Sequence, residues 1–175
     1  MAKTEAVASV PQERNNVMIK TSIGQDSHAF EESGSSKPLI LGGVTFPGYP
    51  GMKANSDGDV VLHAVTNCIS GISGVNVLGK IADDMCKSGI IDSKEYLKEA
   101  IKYLPEGCKI NNISMTIEAL RPKFAPHIDV MKESIASLLG ITPSDVGITA
   151  TTGEGLTAFG QGLGIMVFAV LTVEV

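Results

Sequence analysis

The sequence predicts an α/β fold of the α+β sandwich kind, a mixed sheet carrying helices on one face. Segments with apolar residues at every second position alternate with segments at helical spacing. Long crossovers, rather than tight hairpins, separate the strand-like segments. The final run is apolar on both faces, so both faces need cover.

A first strand is expected from about Val17 to Ile23, with "GQDSHAF" at its mouth. "ESGSSKP" (Glu32 to Pro38) reads as a loop rich in Ser and Gly. "LILGGVTF" (Leu39 to Phe46) reads as a strand region bent at Gly42-Gly43. Pro47 to Ser56, with two Pro and two Gly, reads as a flexible loop. A helix begins near Asp57, with Val61, Ala64, Val65, Cys68, Ile69 and Ile72 at i, i+3, i+4, i+7, i+8 and i+11. At about 100° per residue, Asp59, His63, Asn67 and Ser70 fall on its opposite, polar face. Val75 to Gly89 is irregular. In "IIDSKEYLKEAIKYL", Asp92 and Glu95 are spaced as a capping box, and Leu97, Ala100, Ile101 and Leu104 form the stripe of a second helix.

Lys109 to Leu120 is a strand with Ile113, Met115 and Ile117 alternating, and "RPKFAP" is a loop. A third helix covers His127 to Leu139, with Ile128, Met131, Ile135 and Leu138 inward, and Gly140 stops it. "DVGITATT" is a strand, followed by a Gly-rich loop and a last strand to Val175. In that strand Ile165, Val167, Ala169, Leu171 and Val173 face one way, and Met166, Phe168 and Val170 the other. Too few helices exist to cover both sheet faces. An oligomer packed sheet against sheet is expected.

Composition narrows the function. A core of mostly Val, Ile, Leu and Ala follows from 43% hydrophobic residues with no Trp, five Phe and three Tyr. A net charge of −5 argues against a nucleic-acid or anionic-membrane surface. Any phosphate recognition is then local. Cys68, Cys86 and Cys108 are odd in number and show no C-x-x-C pattern, so reduced thiols in an intracellular compartment are expected. No run approaches the about 18 apolar residues of a membrane span. Residues 1–17 are polar and mixed in charge, and read as a disordered extension or cloning remnant. That leaves 18–175 as one domain.

Three histidines occur: His28, His63 and His127. Asp26 and His28 stand at i and i+2, so on an extended segment they point to one side. With a distant His63 they form the ligand set of an open tetrahedral zinc site. They fit equally a hydrogen-bonded pair at a strand end, with His63 a solvent-facing helical residue. "ATTGEGL" (Ala150 to Leu156) offers hydroxyls from Thr151 and Thr152, close backbone approach at Gly153 and Gly155, and a carboxylate from Glu154. It suits phosphate and a hard cation, or is an ordinary turn. "RPKFAPH" could line a flat base with Phe124 or backbone, or simply lead into a helix through Pro126. "GQGLG" (Gly160 to Gly164) precedes a strand rather than opening a helix, so it is not a dinucleotide fingerprint.

"GQDSHAF", "LILGGVTF", "NSDGDVVLHAV", "RPKFAPHI" and "ATTGE", in this order, resemble the 2-C-methyl-D-erythritol 2,4-cyclodiphosphate synthase family over about Met18 to Val175. The resemblance implies a ferredoxin-like sheet packed around the centre of a homotrimer, with active sites between subunits. It implies zinc on Asp26, His28 and His63, and magnesium or manganese on Glu154. Thr151 and Thr152 match phosphate contacts, Thr152 also stabilising the transition state. Ser56, Leu78, Gly79, Asp84 and Gly153 match further substrate contacts. Ala119, Leu120, Arg121, Pro122, Lys123, Phe124 and Ala125 match the cytidine pocket, Lys123 near the phosphates. The implied reaction is metal-assisted attack of one substrate phosphate on another, releasing CMP, by a lyase of the non-mevalonate isoprenoid pathway. A bacterial cytoplasm, or a plastid, is the implied location.

The chain departs from the family pattern at several positions. Asn55 stands where a catalytic His is usual, and Asn donates a hydrogen bond but carries no charge. Val77 replaces an Asp that holds the erythritol hydroxyls, and Ala82 a Phe. Ala158, Gln161 and Leu163 fall in a stretch where an Arg and a Glu usually line the central cavity. A less charged cavity that binds isoprenoid diphosphates poorly is expected. The alternatives are a divergent relative with altered substrate or low activity, and a non-enzymatic trimer that binds metal or nucleotide.

Overall fold

A computed structural model describes residues 17–175. The expectation of an extension over 1–17 therefore lies, apart from Val17, outside the described residues.

The main sheet has four strands in the order β1-β6-β4-β5, where β1 is Ile19–Ala29, β4 Lys109–Glu118, β5 Val146–Thr151 and β6 Gly164–Glu174. β6 runs antiparallel to both β1 and β4, whereas β4 and β5 are parallel. A hairpin, β2 (Pro38–Leu41) and β3 (Val44–Pro50), forms a second sheet. Helices α1 (Val60–Ser73), α2 (Ala82–Lys87), α3 (Ser93–Ile101) and α4 (Ile128–Leu139) complete the fold. Buried Ile165, Val167, Ala169, Leu171 and Val173 of β6 join Ile113, Met115 and Ile117 of β4 under the helices. On the other face Phe168, Val170 and β1's Ile23 are exposed.

Several expectations are corrected. The first strand does not stop at Ile23 but runs on through "GQDSHA", because its whole length pairs with β6. The segment over Leu39–Phe46 is a hairpin, not one bent strand: Gly42 and Gly43 both have positive φ and close the turn. Val75–Gly89 contains a distorted turn and the short α2. α3 ends at Ile101, before Leu104. The ferredoxin-like order β-α-β-β-α-β is not met. Here β5 and β6 are consecutive, and α4 is the crossover that makes β4 and β5 parallel.

Asp59 is fully buried at the N-cap of α1, not on a solvent face. Its carboxylate accepts from the amides of Val61 and Leu62, and from Gly42 and Gly43 at 2.8 and 2.6 Å. One side chain thus caps α1 and holds the hairpin turn against it. α1 also lies unusually close to β1. A Cβ on Gly24 would overlap the carbonyl oxygen of Ala64 and the amide of Cys68. Ser22 Oγ donates to the Cys68 carbonyl at 2.7 Å, and Asn67 donates to the Gln25 carbonyl at 3.0 Å.

Gly24→Ala is expected to cost about 3 kcal/mol in urea unfolding, since backbone atoms rather than a movable side chain meet the new methyl. Burial pushes the Asp59 carboxyl up to about 6 from its ordinary 3.8, against its amide donors. A folded pKa above the unfolded one gives stability that is complete below about pH 4 and lost as pH rises through about 6. Between pH 4 and 7, the wild type should therefore lose stability relative to Asp59→Asn, read as urea midpoints.

Candidate metal centre and substrate cavity

β1 presents Ser22, Gly24, Asp26 and His28 to the helices, because alternate residues share a face. α1 brings His63 over them. Asp26 Oδ2 lies 2.9 Å from His63 Nδ1 and 3.0 Å from His28 Nε2, and the two nitrogens are 3.1 Å apart. Ligand atoms about 2.0–2.1 Å from a tetrahedral ion lie roughly 3.3 Å apart, so this triangle fits one cation with little movement. Among the described residues, this is the cluster able to hold a metal. His63 is buried, which removes the solvent-facing reading of it. Burial alone would raise the Asp26 carboxyl, but hydrogen bonds from His28 and His63 outweigh it and hold the group well below the usual carboxylate range.

The triangle opens into a cavity of about 520 Å³. Asn55, Ser56, Leu78, Gly79 and Ala82, all singled out in the sequence, line it with the three ligands. Expected Asp84 does not, and neither does Val77, which stands in place of the family's Asp. Val77 is fully buried in the core, and Asp84 turns to Lys80 and Lys87 on the surface. Their places in the wall are taken by Asp83 and Cys86, one position either side of Asp84-Met85. Tyr96 and Asn67 were also missed as site residues. Asn67 was legible, since it stands four residues after His63 on the same helix face. Tyr96 was not, since only the tertiary fold lays its ring over His63, with centroids 6.4 Å apart.

The remaining predicted residues form a second group at the opposite edge of the sheet. The Ala119 amide donates to the Thr151 carbonyl and the Leu120 amide to that of Phe159, which sets the Ala119–Ala125 loop beside Thr151 and Thr152. Thr151, Thr152 and Glu154 are exposed, and Glu154 is held at a φ of 52° inside a tight turn. Lys123 and Arg121 are exposed, and Arg121 borders a cavity of about 560 Å³ with Ser33, Ser35 and Tyr49. Phe124 is not available to a base. Its ring is buried against Phe46, 5.9 Å between centroids, and Ala119 and Pro122 are buried too. Ala158, Gln161 and Leu163 are exposed in the turn before β6. β1 and β5 are the two sheet edges, so three strand spacings of about 4.8 Å, roughly 14 Å, separate the metal cluster from the threonines.

The YgbB family profile matches residues 19–174. The 2-C-methyl-D-erythritol 2,4-cyclodiphosphate synthases of Chlamydia caviae and Chlamydia muridarum are 51% and 50% identical to this chain over 155 residues. The alignments span 88% of this chain and 88% and 87% of theirs. A solved synthase of that name superposes with a TM-score of 0.76 at 30% identity, covering 87% of this chain and 98% of its own. A Plasmodium falciparum IspF, solved as a CDP complex, gives 0.73 at 25% identity, over 89% of this chain and 95% of that one.

Removing either strand or helix ligand should open the triangle. Asp26→Asn and His63→Ala are each expected to weaken divalent-metal binding by at least about 100-fold, measured by competition with a chromophoric chelator. Unchanged affinity in both would assign the metal elsewhere.

Proposed function

The chain belongs to the YgbB family, and on that premise we infer that it makes 2-C-methyl-D-erythritol 2,4-cyclodiphosphate in isoprenoid biosynthesis. The observation that carries the reading is the Asp26–His28–His63 triangle opening onto a polar cavity. The substrate is 4-diphosphocytidyl-2-C-methyl-D-erythritol 2-phosphate. An oxygen of its 2-phosphate bonds to the β-phosphorus, the bond from that phosphorus to the bridging oxygen breaks, and the electron pair leaves with CMP. This is a lyase reaction and needs no protein nucleophile.

Asp26, His28 and His63 would hold zinc, and Glu154 a second divalent ion, magnesium or manganese. When bound, these cations supply the positive charge that lets one phosphate approach another. Asn55 and Ser56 donate hydrogen bonds to phosphate oxygens from the cavity wall. Asn55 adds no charge, so more of the stabilisation falls on Thr152. Gripping both ends of one substrate sets the ring-closing geometry. The Ala119–Ala125 loop holds cytosine through its backbone and Arg121, with Lys123 near the phosphates. Buried Pro122 and Phe124 shape that loop from inside.

The roughly 14 Å between the triangle and Thr152 is too far for one chain to close on reacting phosphates. A neighbouring copy supplies the threonines, in a homotrimer whose sheets meet at the centre over Ile23, Phe168 and Val170. Gln161, bonded to the Gly155 carbonyl, and exposed Leu163 leave that centre poorly suited to isoprenoid diphosphates. No described helix is long and apolar enough to cross a membrane, which is compatible with a bacterial cytoplasm. Buried Val77 favours one second reading, a relative with a changed polyol site, in which Asp83 and Asn67 take the hydroxyls.

Protein incubated with substrate and magnesium should release CMP, followed by phosphorus NMR. No CMP at high enzyme overturns the reading, and CMP binding without turnover favours a binding protein. Asp83→Ala should raise KM about tenfold with a smaller change in kcat if Asp83 grips a hydroxyl. Sedimentation at micromolar concentration should give the trimer mass; a monomer mass would refute shared sites.

A further inference from the structure

Behind His63, away from the cavity, lies a polar chain that the reaction does not use. Ser93 Oγ is 2.9 Å from His63 Nε2, and the same hydroxyl is bonded to Asp57 Oδ1. Ser93 is fully buried at the first turn of α3. Asp57 is itself fixed: its Oδ2 accepts the Ser93 amide at 3.0 Å, and its Oδ1 the Asp59 amide at 3.1 Å. The Asp57 amide in turn donates to the Ile91 carbonyl at 2.8 Å.

We propose that Asp57 and Ser93 are positioning residues that dictate which nitrogen of His63 faces the metal. The proposal rests on the reading that Asp26, His28 and His63 hold zinc. A carboxylate only accepts, and a serine hydroxyl has one proton to give. Ser93 gives that proton to Asp57, so toward His63 it can only accept. His63 Nε2 then carries hydrogen toward Ser93, the nearer of its two hydroxyl neighbours (Ser56 Oγ is at 3.5 Å), so Nδ1 is the nitrogen that a metal takes over when it replaces the hydrogen bond to Asp26. Nδ1 is the atom 2.9 Å from Asp26 Oδ2 and 3.1 Å from His28 Nε2. The chain therefore selects the metal-binding tautomer and holds the ring in plane. Ligand histidines commonly need such a partner on their second nitrogen. Tyr96, stacked at 29° to the ring, keeps the imidazole from tilting.

The test uses the full chain and zinc alone. Zinc affinity is measured by chelator competition, and the zinc-loaded protein is examined by proton–nitrogen NMR, where three histidines give few imidazole signals. The unaltered chain should bind one zinc and show a His63 Nε2–H slow to exchange with water. Ser93→Ala and Asp57→Asn should each lower zinc affinity about 10–100-fold and speed that exchange. Asp57→Asn keeps the shape but can donate to Ser93, which reverses the chain. Ser93→Thr, which keeps the hydroxyl, should restore both readouts. A folded Ser93→Ala or Asp57→Asn that binds zinc as tightly as the wild type overturns the proposal, and whichever of the two folds decides it. Failure of the unaltered chain to bind zinc would instead sink the metal reading and the positioning role together.

Discussion

The close contact between α1 and β1 at Gly24 is the constraint on which the site depends. Without a side chain there, helix backbone reaches strand backbone, and Ser22 and Asn67 bond across the seam. That distance decides whether His63, on the helix, meets Asp26 and His28, on the strand. A helix one methyl group further away would still cover the core. It would separate the three ligand atoms beyond the reach of a single ion.

The two carboxylates of "SDGD" divide the work of holding this arrangement. Asp59 sits wholly inside the protein and spends its acceptor capacity on four backbone amides, two from α1 and two from the hairpin turn. Asp57 faces the other way and binds the start of α3 through the Ser93 amide and hydroxyl. α1, α3 and the β2–β3 hairpin are thus referred to one four-residue loop. A buried carboxylate is costly unless its acceptor sites are filled. Here they are filled by groups that would otherwise lack partners at helix starts and in a tight turn.

Sheet topology explains why half of the expected site is missing from the cavity. The strands that carry Asp26 and Thr151 are opposite edges of the same sheet, and Thr151 faces away from the helices. Folding one chain more tightly cannot bring those edges together. The open sheet face, with Ile23, Phe168 and Val170 exposed, is the surface that the proposed trimer would cover. Both observations trace to β6, which lies inside the sheet with one apolar face buried under the helices and the other exposed.

The sequence by itself determined the helical and strand periods, the inward face of β6, the donor types at Asp26, His28 and His63, and the turn residues. These are local properties, set by side-chain chemistry and by repeats of 2 and 3.6 residues. Where it erred, the cause was distance along the chain. Phe124 read as a candidate to line a base but is core, because burial depends on what packs against it. Asp59 read as a polar-face residue, because nothing nearby reveals that a turn 16 residues earlier needs its oxygens. Ser93, Tyr96, Asp83 and Cys86 gave no local signal, since their places arise from α3 packing on α1 and from α2 bordering the cavity. Only the tertiary structure decided which nitrogen of His63 points at the triangle, because that choice is made by a hydroxyl 30 residues away.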